Sequence, residues 1–229
     1  AGGILLPALR RLGVSIGTHI LSCGGISDRH FENFEEDFEK IENASMPVLD
    51  ENAKTAIEEK ITEARKNGDS VGGILETVVT GFPASVGEPW FDTVEGVISH
   101  MLFSVPAVKG VSFGSGFDFG NMSGSEANDP IRTEGGRVFT ETNNNGGING
   151  GITNGMPIVI SCAVKPTPSI YKTQRTINFE KNENTELLIE GRHDPAIIHK
   201  ASVVITAATA IALLDLLSGR FGTDLNGIN

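Results

Sequence analysis

Residues 143–169 read NNNGGINGGITNGMPIVISCAVKPTPS, and the change of character inside this stretch decides how the chain is organised. Glycines at 146, 147, 150, 151 and 155 let the backbone turn through positive φ and approach another surface closely. The apolar run Pro157 to Val164 then predicts a buried strand. That strand delivers Lys165-Pro166-Thr167-Pro168-Ser169 to its end. A lysine, two hydroxyls and backbone N–H groups on a proline-stiffened turn can cradle an anion. The prolines each remove a donor, so the cradle relies on Lys165, Thr167 and Ser169. On the residues alone, a plain connector is the commoner meaning of a Gly/Asn-rich loop before a strand. The stretch is not a Walker loop, because GxxxxGK[ST] is absent and Lys165 follows a strand. It is not a dinucleotide fingerprint, because no helix follows the glycines.

Upstream of this block, Gly114 to Gly155 holds eleven glycines and seven asparagines in 42 residues and cannot supply a core of its own. Before it the pattern is more regular. Ala1 to Leu12 reads as the tail of a helix, and Val14 to Cys23 as a strand. Asp28 to Glu63 carries twelve acidic and four basic residues. Its first part, with Pro47, reads as a solvated excursion. From Asp50, a plausible N-cap, Ala53, Ile57, Ile61 and Ala64 mark one helix face and Gly68 ends it. The acidic run reads as a solvated face rather than a cation site. Ser70 to Thr80 predicts a strand, with Gly72 and Gly73 marking close backbone approach or a bulge. Asp92 to Phe103 predicts an Asp-capped helix, and Val108 to Phe113 a short strand. Downstream, Gln174 to Phe179 and Thr185 to Glu190 are strand candidates, and Ala201 to Leu217 predicts an Ala/Leu-rich helix. This order suggests α/β or α+β layers.

Composition narrows the function classes. The chain has 229 residues and a formal charge of −11, which argues against non-specific nucleic-acid binding. A few clustered basic residues can still hold a small anion. The apolar stretch Ala207 to Leu217, broken by Thr209 and Asp215, reads as too short to span a bilayer. The amino-terminal residues are in the wrong order for a secretory signal, since Arg10 and Arg11 follow the apolar part. Cys23 and Cys162 are isolated, so neither a disulfide framework nor a four-ligand zinc site is expected. A reduced, cytoplasmic setting follows. No histidine has an H-x-x-H or H-E-x-x-H partner, so no metal site is expected.

A second chemical cluster is Gly191-Arg192-His193-Asp194-Pro195. Pro195 restricts Asp194 to extended geometry. A carboxylate beside an arginine stays ionised and can serve as a positioned base. A surface turn with a local ion pair is the alternative reading.

Taken in order, the motifs resemble those of one family. They are Asp69-Ser70-Val71-Gly72-Gly73, Gly87-Glu88-Pro89, Ser104-Val105-Pro106-Ala107-Val108-Lys109-Gly110, Gly124-Ser125-Glu126 with Asn128-Asp129, the Gly146 to Gly155 run, Lys165-Pro166-Thr167, and Arg192-His193-Asp194-Pro195. Each is weak alone. Together, from the first residue to about Leu217, they resemble chorismate synthase. The resemblance implies a layered β-α-β sandwich, a single domain over residues 1–229, and a Gly/Asn-rich active-site loop region at 114–155. It implies a lyase that converts 5-enolpyruvylshikimate 3-phosphate to chorismate and phosphate by anti-1,4-elimination. The cofactor it implies is reduced FMN, with NADPH as reductant in part of the family. The partners it implies are that substrate and further copies of the chain in a homotetramer, with neither nucleic acid nor membrane.

The resemblance also implies roles for individual residues. Pro106 and Ala107 touch the flavin through backbone, and Gly150 passes close to its ring. Lys165, Pro166, Thr167, Pro168 and Ser169 hold its phosphate end. Arg192 contacts FMN or substrate, Asp194 lies near flavin N5 as the acid–base group, and His193 packs or orients. In many members a histidine stands where Asn143 to Asn145 lie here, and a glutamate where Thr206 lies. The family pattern begins well over a hundred residues before these motifs, with two catalytic histidines and most substrate-binding arginines. The chain therefore reads as truncated at its N-terminus. Negligible turnover is the expectation for these 229 residues alone, the alternative being an inactive fragment with assembly surfaces and a partial FMN/phosphate site.

Overall fold

The computed structural model describes residues 2–42, 44–223 and 225. In chain order the elements are α1 (Gly2–Arg11), β1 (Ser15–Cys23), β2 (Ile26–Ser27), α2 (Phe34–Glu42), α3 (Glu51–Lys66), β3 (Gly73–Thr80), α4 (Val94–Phe103) and β4 (Val108–Phe113). A 3₁₀ turn at Gly116–Asn121 follows, then α5 (Gly124–Ala127), β5 (Ile131–Glu134), β6 (Arg137–Thr140), β7 (Ile148–Asn149), β8 (Ile152–Thr153) and β9 (Ile158–Val164). The chain continues with β10 (Gln174–Asn178), β11 (Glu183–Leu187) and α6 (Ile198–Phe221). The main sheet has the order β2-β1-β3-β9-β4, and all its pairs are antiparallel. This is an α+β layer arrangement. One sheet face carries the principal core, where Leu75, Val79, Ile158, Ile160 and Cys162 meet Ile205, Leu213 and Leu217 of α6 and Ile98 and Leu102 of α4.

Alternation explains why β9 sits inside the sheet. Ile158, Ile160, Cys162 and Val164 are buried, and the residues between them are half-buried. Burial pushes the Cys23 and Cys162 thiols up to about 11, so both remain protonated packing groups. The Asp50 cap is observed: its carboxylate accepts from the Asn52 and Ala53 amides, and Gly68 follows α3 with φ +63°.

Three expectations are corrected. The N-cap of α4 is Thr93, whose hydroxyl accepts from the Gly96 amide at 2.9 Å; Asp92 lies one residue too early. The 28–50 excursion is solvated on one side only. It contains α2, and Phe31, Ile41 and Leu49 bury against Val78 in a second, smaller cluster. A Cβ on Gly17 would lie 2.3 Å from Phe38, so the glycine lets that ring lie on β1. Finally, α6 runs for 24 residues, long and apolar enough by composition to cross a membrane. It instead packs on β1, β3, α1 and α4. Thr209 and Asp215 do not interrupt it, because helix propensity is a weak constraint against such packing.

Gly73 is the tightest point of the sheet. A Cβ there would lie 2.0 Å from the Ser22 carbonyl oxygen and 2.5 Å from Ile198 Cδ1. Gly73→Ala is expected to destabilise the fold by at least about 2 kcal/mol, as for other overpacked core sites. Gly3→Ala, in α1 with nothing within 4 Å, is expected to be neutral or stabilising by up to about 1 kcal/mol. Denaturant unfolding compares the two; equal effects would refute the close-approach reading.

Candidate functional site

Antiparallel register places the sequence clusters at one end of the sheet. Gly73 of β3 pairs with Val164 of β9, which pairs with Val108 of β4. The segments leaving those strands therefore converge. The Lys165 amide donates to the Ala107 carbonyl at 2.9 Å, joining the Pro106-Ala107 turn to the Lys165–Ser169 turn. The Ser70 hydroxyl donates to the Thr167 carbonyl at 2.6 Å, and Gln174 Nε2 to the Pro168 carbonyl at 3.0 Å. From the other side the Val71 amide donates to the Pro195 carbonyl at 2.8 Å, bringing the Arg192–Asp194 segment to the same end. Gly72 permits this, since a Cβ there would lie 2.5 Å from the Val164 carbonyl oxygen and 2.9 Å from Pro166.

Ala107 has φ +76°, a left-handed conformation that strains an L-residue by roughly 1–2 kcal/mol. Strain of this kind is held by its surroundings and concentrates at functional positions. Beside it, the Thr167 hydroxyl is buried without a hydrogen-bond partner among the described residues. A buried hydroxyl left unpaired is destabilising, and a phosphate oxygen arriving at this turn would satisfy it. With the Lys165 ammonium two residues away, the donor set suits an anion. The residues present therefore fit the phosphate end of a flavin nucleotide.

The Arg192–Asp194 segment has its own anchors. His193 Nε2 donates to the Ile189 carbonyl at 3.0 Å, and the His193 ring meets Tyr171 edge-on at 4.7 Å. The Asp194 carboxylate accepts from Lys200 Nζ at 2.7 Å. Lys200 beside it, with smaller contributions from His199 and Arg192, holds the Asp194 carboxyl below the usual carboxylate range. Asp194 is thus a carboxylate at neutral pH, able to accept a hydrogen bond from an N–H.

Gly150 is not brought to this end. It lies in the β7–β8 hairpin, whose Gly151 carbonyl accepts from the Val94 amide at the start of α4. Ala107 lies beyond the other end of α4. The ten residues of α4, a helix about 15 Å long, lie between the two positions. Gly150 has φ +59°, and nothing lies within 4 Å of where its Cβ would be.

A buried polar cluster escaped the sequence reading. His19, fully buried, places Nδ1 3.2 Å from Asp28 Oδ2 and Nε2 3.0 Å from Glu76 Oε2. His30 Nδ1 lies 2.5 Å from Glu76 Oε1. The only signal was a histidine inside an apolar strand, with its carboxylates 9 and 57 residues away. The Gly/Asn-rich segment is likewise ordered by a buried carboxylate. Asp129 accepts from the Asn144 and Asn145 amides, the Asn145 side chain and the Thr142 hydroxyl.

If Lys200 is what holds Asp194 ionised, Lys200→Ala will raise the Asp194 titration midpoint toward its ordinary value. A carboxyl-detected NMR titration reads this directly, and an unmoved midpoint would rule the pairing out as the cause.

The sequence profile of the chorismate synthase family matches residues 1–217. The chorismate synthase of Methanosarcina acetivorans is 46% identical over 216 residues, covering 94% of this chain and 59% of that protein. That of Methanobrevibacter smithii is 43% identical, with the same coverage of both chains. A crystal structure of a chorismate synthase superposes with a TM-score of 0.80 at 30% identity, over 97% of this chain and 62% of that one. The chain thus spans about three-fifths of the length of the relatives it matches. Ordered motifs, sheet topology and these likenesses agree: the chain belongs to the chorismate synthase family.

Proposed function

We propose that this chain supplies the flavin-phosphate end of a chorismate synthase site, for the elimination of phosphate from 5-enolpyruvylshikimate 3-phosphate to give chorismate. The observation that carries the proposal is the buried, unpartnered Thr167 hydroxyl on the Lys165 turn. Family membership supports the choice of reduced FMN as the anion-bearing ligand. When bound, a reduced flavin is an electron-rich partner for the electron-poor centre left as an allylic C–O bond breaks.

The chain's own residues bind, orient and hold charge. Lys165 and Arg192 offset phosphate charge, and Thr167 and Ser169 offer hydroxyl donors. Pro166 and Pro168 stiffen the turn, so little rotational freedom is lost on binding. The Pro106-Ala107 backbone, fixed through the Lys165 amide, forms the adjoining wall. Asp194 enters as a carboxylate positioned by Lys200 Nζ, as the acceptor for an acidic N–H or C–H. Gly150, at the other end of α4, would lie toward the ring end of a flavin whose phosphate is held at Lys165, or belong to a second protomer's site in a homo-oligomer. The 114–155 segment serves as the loop region that such an assembly closes over the site, in a cytoplasmic, single-domain enzyme.

Fluorescence titration with FMN and with riboflavin tests the cradle. Losing one charge-assisted hydrogen bond is worth about 1.5–3 kcal/mol. Lys165→Ala and Arg192→Ala are therefore each expected to weaken FMN binding by roughly 10- to 100-fold, while riboflavin affinity stays constant. Unchanged FMN affinity in both variants would refute the assignment.

A further inference from the structure

The His19 cluster lies on the sheet face opposite α6 and takes no part in the flavin end. A neutral imidazole has one N–H donor and one lone pair. Both His19 ring nitrogens face carboxylate oxygens, which only accept. Only the doubly protonated imidazolium satisfies both contacts. The two carboxylates are the places where the 28–50 excursion is fastened to the sheet. Asp28 accepts from the Arg29, Leu49 and Asp50 amides, closing both ends of the excursion. Glu76 accepts from the Phe31 amide and His30. His19 is the cation common to Asp28 and Glu76.

We propose that the buried His19 imidazolium is a pH-sensitive latch that holds the 28–50 excursion on the sheet and releases it when the ring loses a proton.

Deprotonation would leave a lone pair facing a buried carboxylate, with that carboxylate short of a donor. The Phe31 amide and His30 also reach Glu76 of β3, but His19 is the group that joins Asp28 to that carboxylate. The other charged groups near the latch are already engaged. Arg29 pairs with Asp37 of α2, His30 is paired with Glu76, and Lys40 donates to the Leu49 carbonyl. On the other face of β1, α6 places the Thr206 hydroxyl 2.8 Å from Thr18 Oγ1, and its titratable His199 lines the concavity shared with Thr18, across the sheet from His19. Burial works against a charged His19, but the hydrogen bonds from Asp28 and Glu76 outweigh it and its pKa is raised. Burial pushes the two carboxyls up, yet the His19 contacts and backbone amides leave both lowered.

The sign follows. A raised histidine pKa contributes stability that is complete below its ordinary value of 6.5 and is lost as pH rises through the folded value. The lowered carboxyls contribute above their ordinary range and are lost in acid. The latch is therefore closed between these limits and opens on the alkaline side by loss of the His19 proton. The excursion walls two concavities. One, of about 480 Å³, is lined by Phe38 and Glu42; the other, of about 630 Å³, by His30, Phe31 and Phe34. Opening the latch would remodel both.

The test is ¹⁵N NMR of the His19 ring together with amide hydrogen exchange of Phe31, Leu49 and Asp50, corrected for intrinsic base catalysis. Both ring nitrogens are expected to be protonated at pH 6. Protection at the three amides should fall at least tenfold with the midpoint of the His19 titration, while β3–β9 amides stay protected. Glu76→Gln removes one of the two facing charges and should move both midpoints together to lower pH. A neutral ring at pH 6, protection that ignores the His19 titration, or coincident midpoints in the folded variant and parent would each overturn the proposal. If Glu76→Gln does not fold, the parent titration alone decides.

Discussion

Neither Gly72 nor Gly73 could carry a side chain without moving backbone. At Gly73 a Cβ would meet the Ser22 carbonyl oxygen at 2.0 Å, and at Gly72 the Val164 carbonyl oxygen at 2.5 Å. These two positions are where β1, β9 and the start of α6 are drawn together around the first residues of β3. Backbone hydrogen bonds then run outward from the junction: Gly24 to Gly72, Val71 to Pro195 and Lys165 to Ala107. Each ties a different loop to the sheet end. The placement of Lys165, Thr167, Arg192 and Asp194 is therefore a consequence of main-chain packing at two glycines. Among the described residues, the Thr167 hydroxyl is left without a partner, while Asp194 is paired with Lys200.

This division explains which features could be read in the sequence. Local signals succeeded. The Asp50 cap, Gly68 past the end of α3, the apolar run of β9 and the Gly72-Gly73 close approach are encoded within a few residues of where they act. Signals carried by tertiary partners failed. Thr93 displaced Asp92 as the cap of α4, because cap choice depends on which backbone already turns. The excursion looked solvated because its acidic residues outnumber its apolar ones. Its order comes from Phe31, Ile41 and Leu49 packing on Val78 and from carboxylates bonded to His19. Sequence spacing gives no hint that Asp28, His19 and Glu76 meet.

The same limit applies to the site. Lys165 to Ser169 and Arg192 to Asp194 were legible as chemical clusters, and the fold gathers them with Pro106 and Ala107 at one sheet end. Gly150 belongs to the same motif series but sits beyond the opposite end of α4. Motif order along a chain carries no information about which end of a helix a residue occupies.

The two polar centres contrast in a way that suits their roles. At the Lys165 turn, the buried Thr167 hydroxyl stands unpaired among the described residues. At His19 every ring nitrogen and carboxylate oxygen is bonded, and the charge is internal. A structure of the chain with FMN bound separates ligand chemistry from fold chemistry most directly. A phosphate oxygen within about 3 Å of both Lys165 Nζ and Thr167 Oγ1 is the expected result. A phosphate lodged elsewhere, with the Thr167 hydroxyl still unpaired, would contradict the assignment of this sheet end as the anion site.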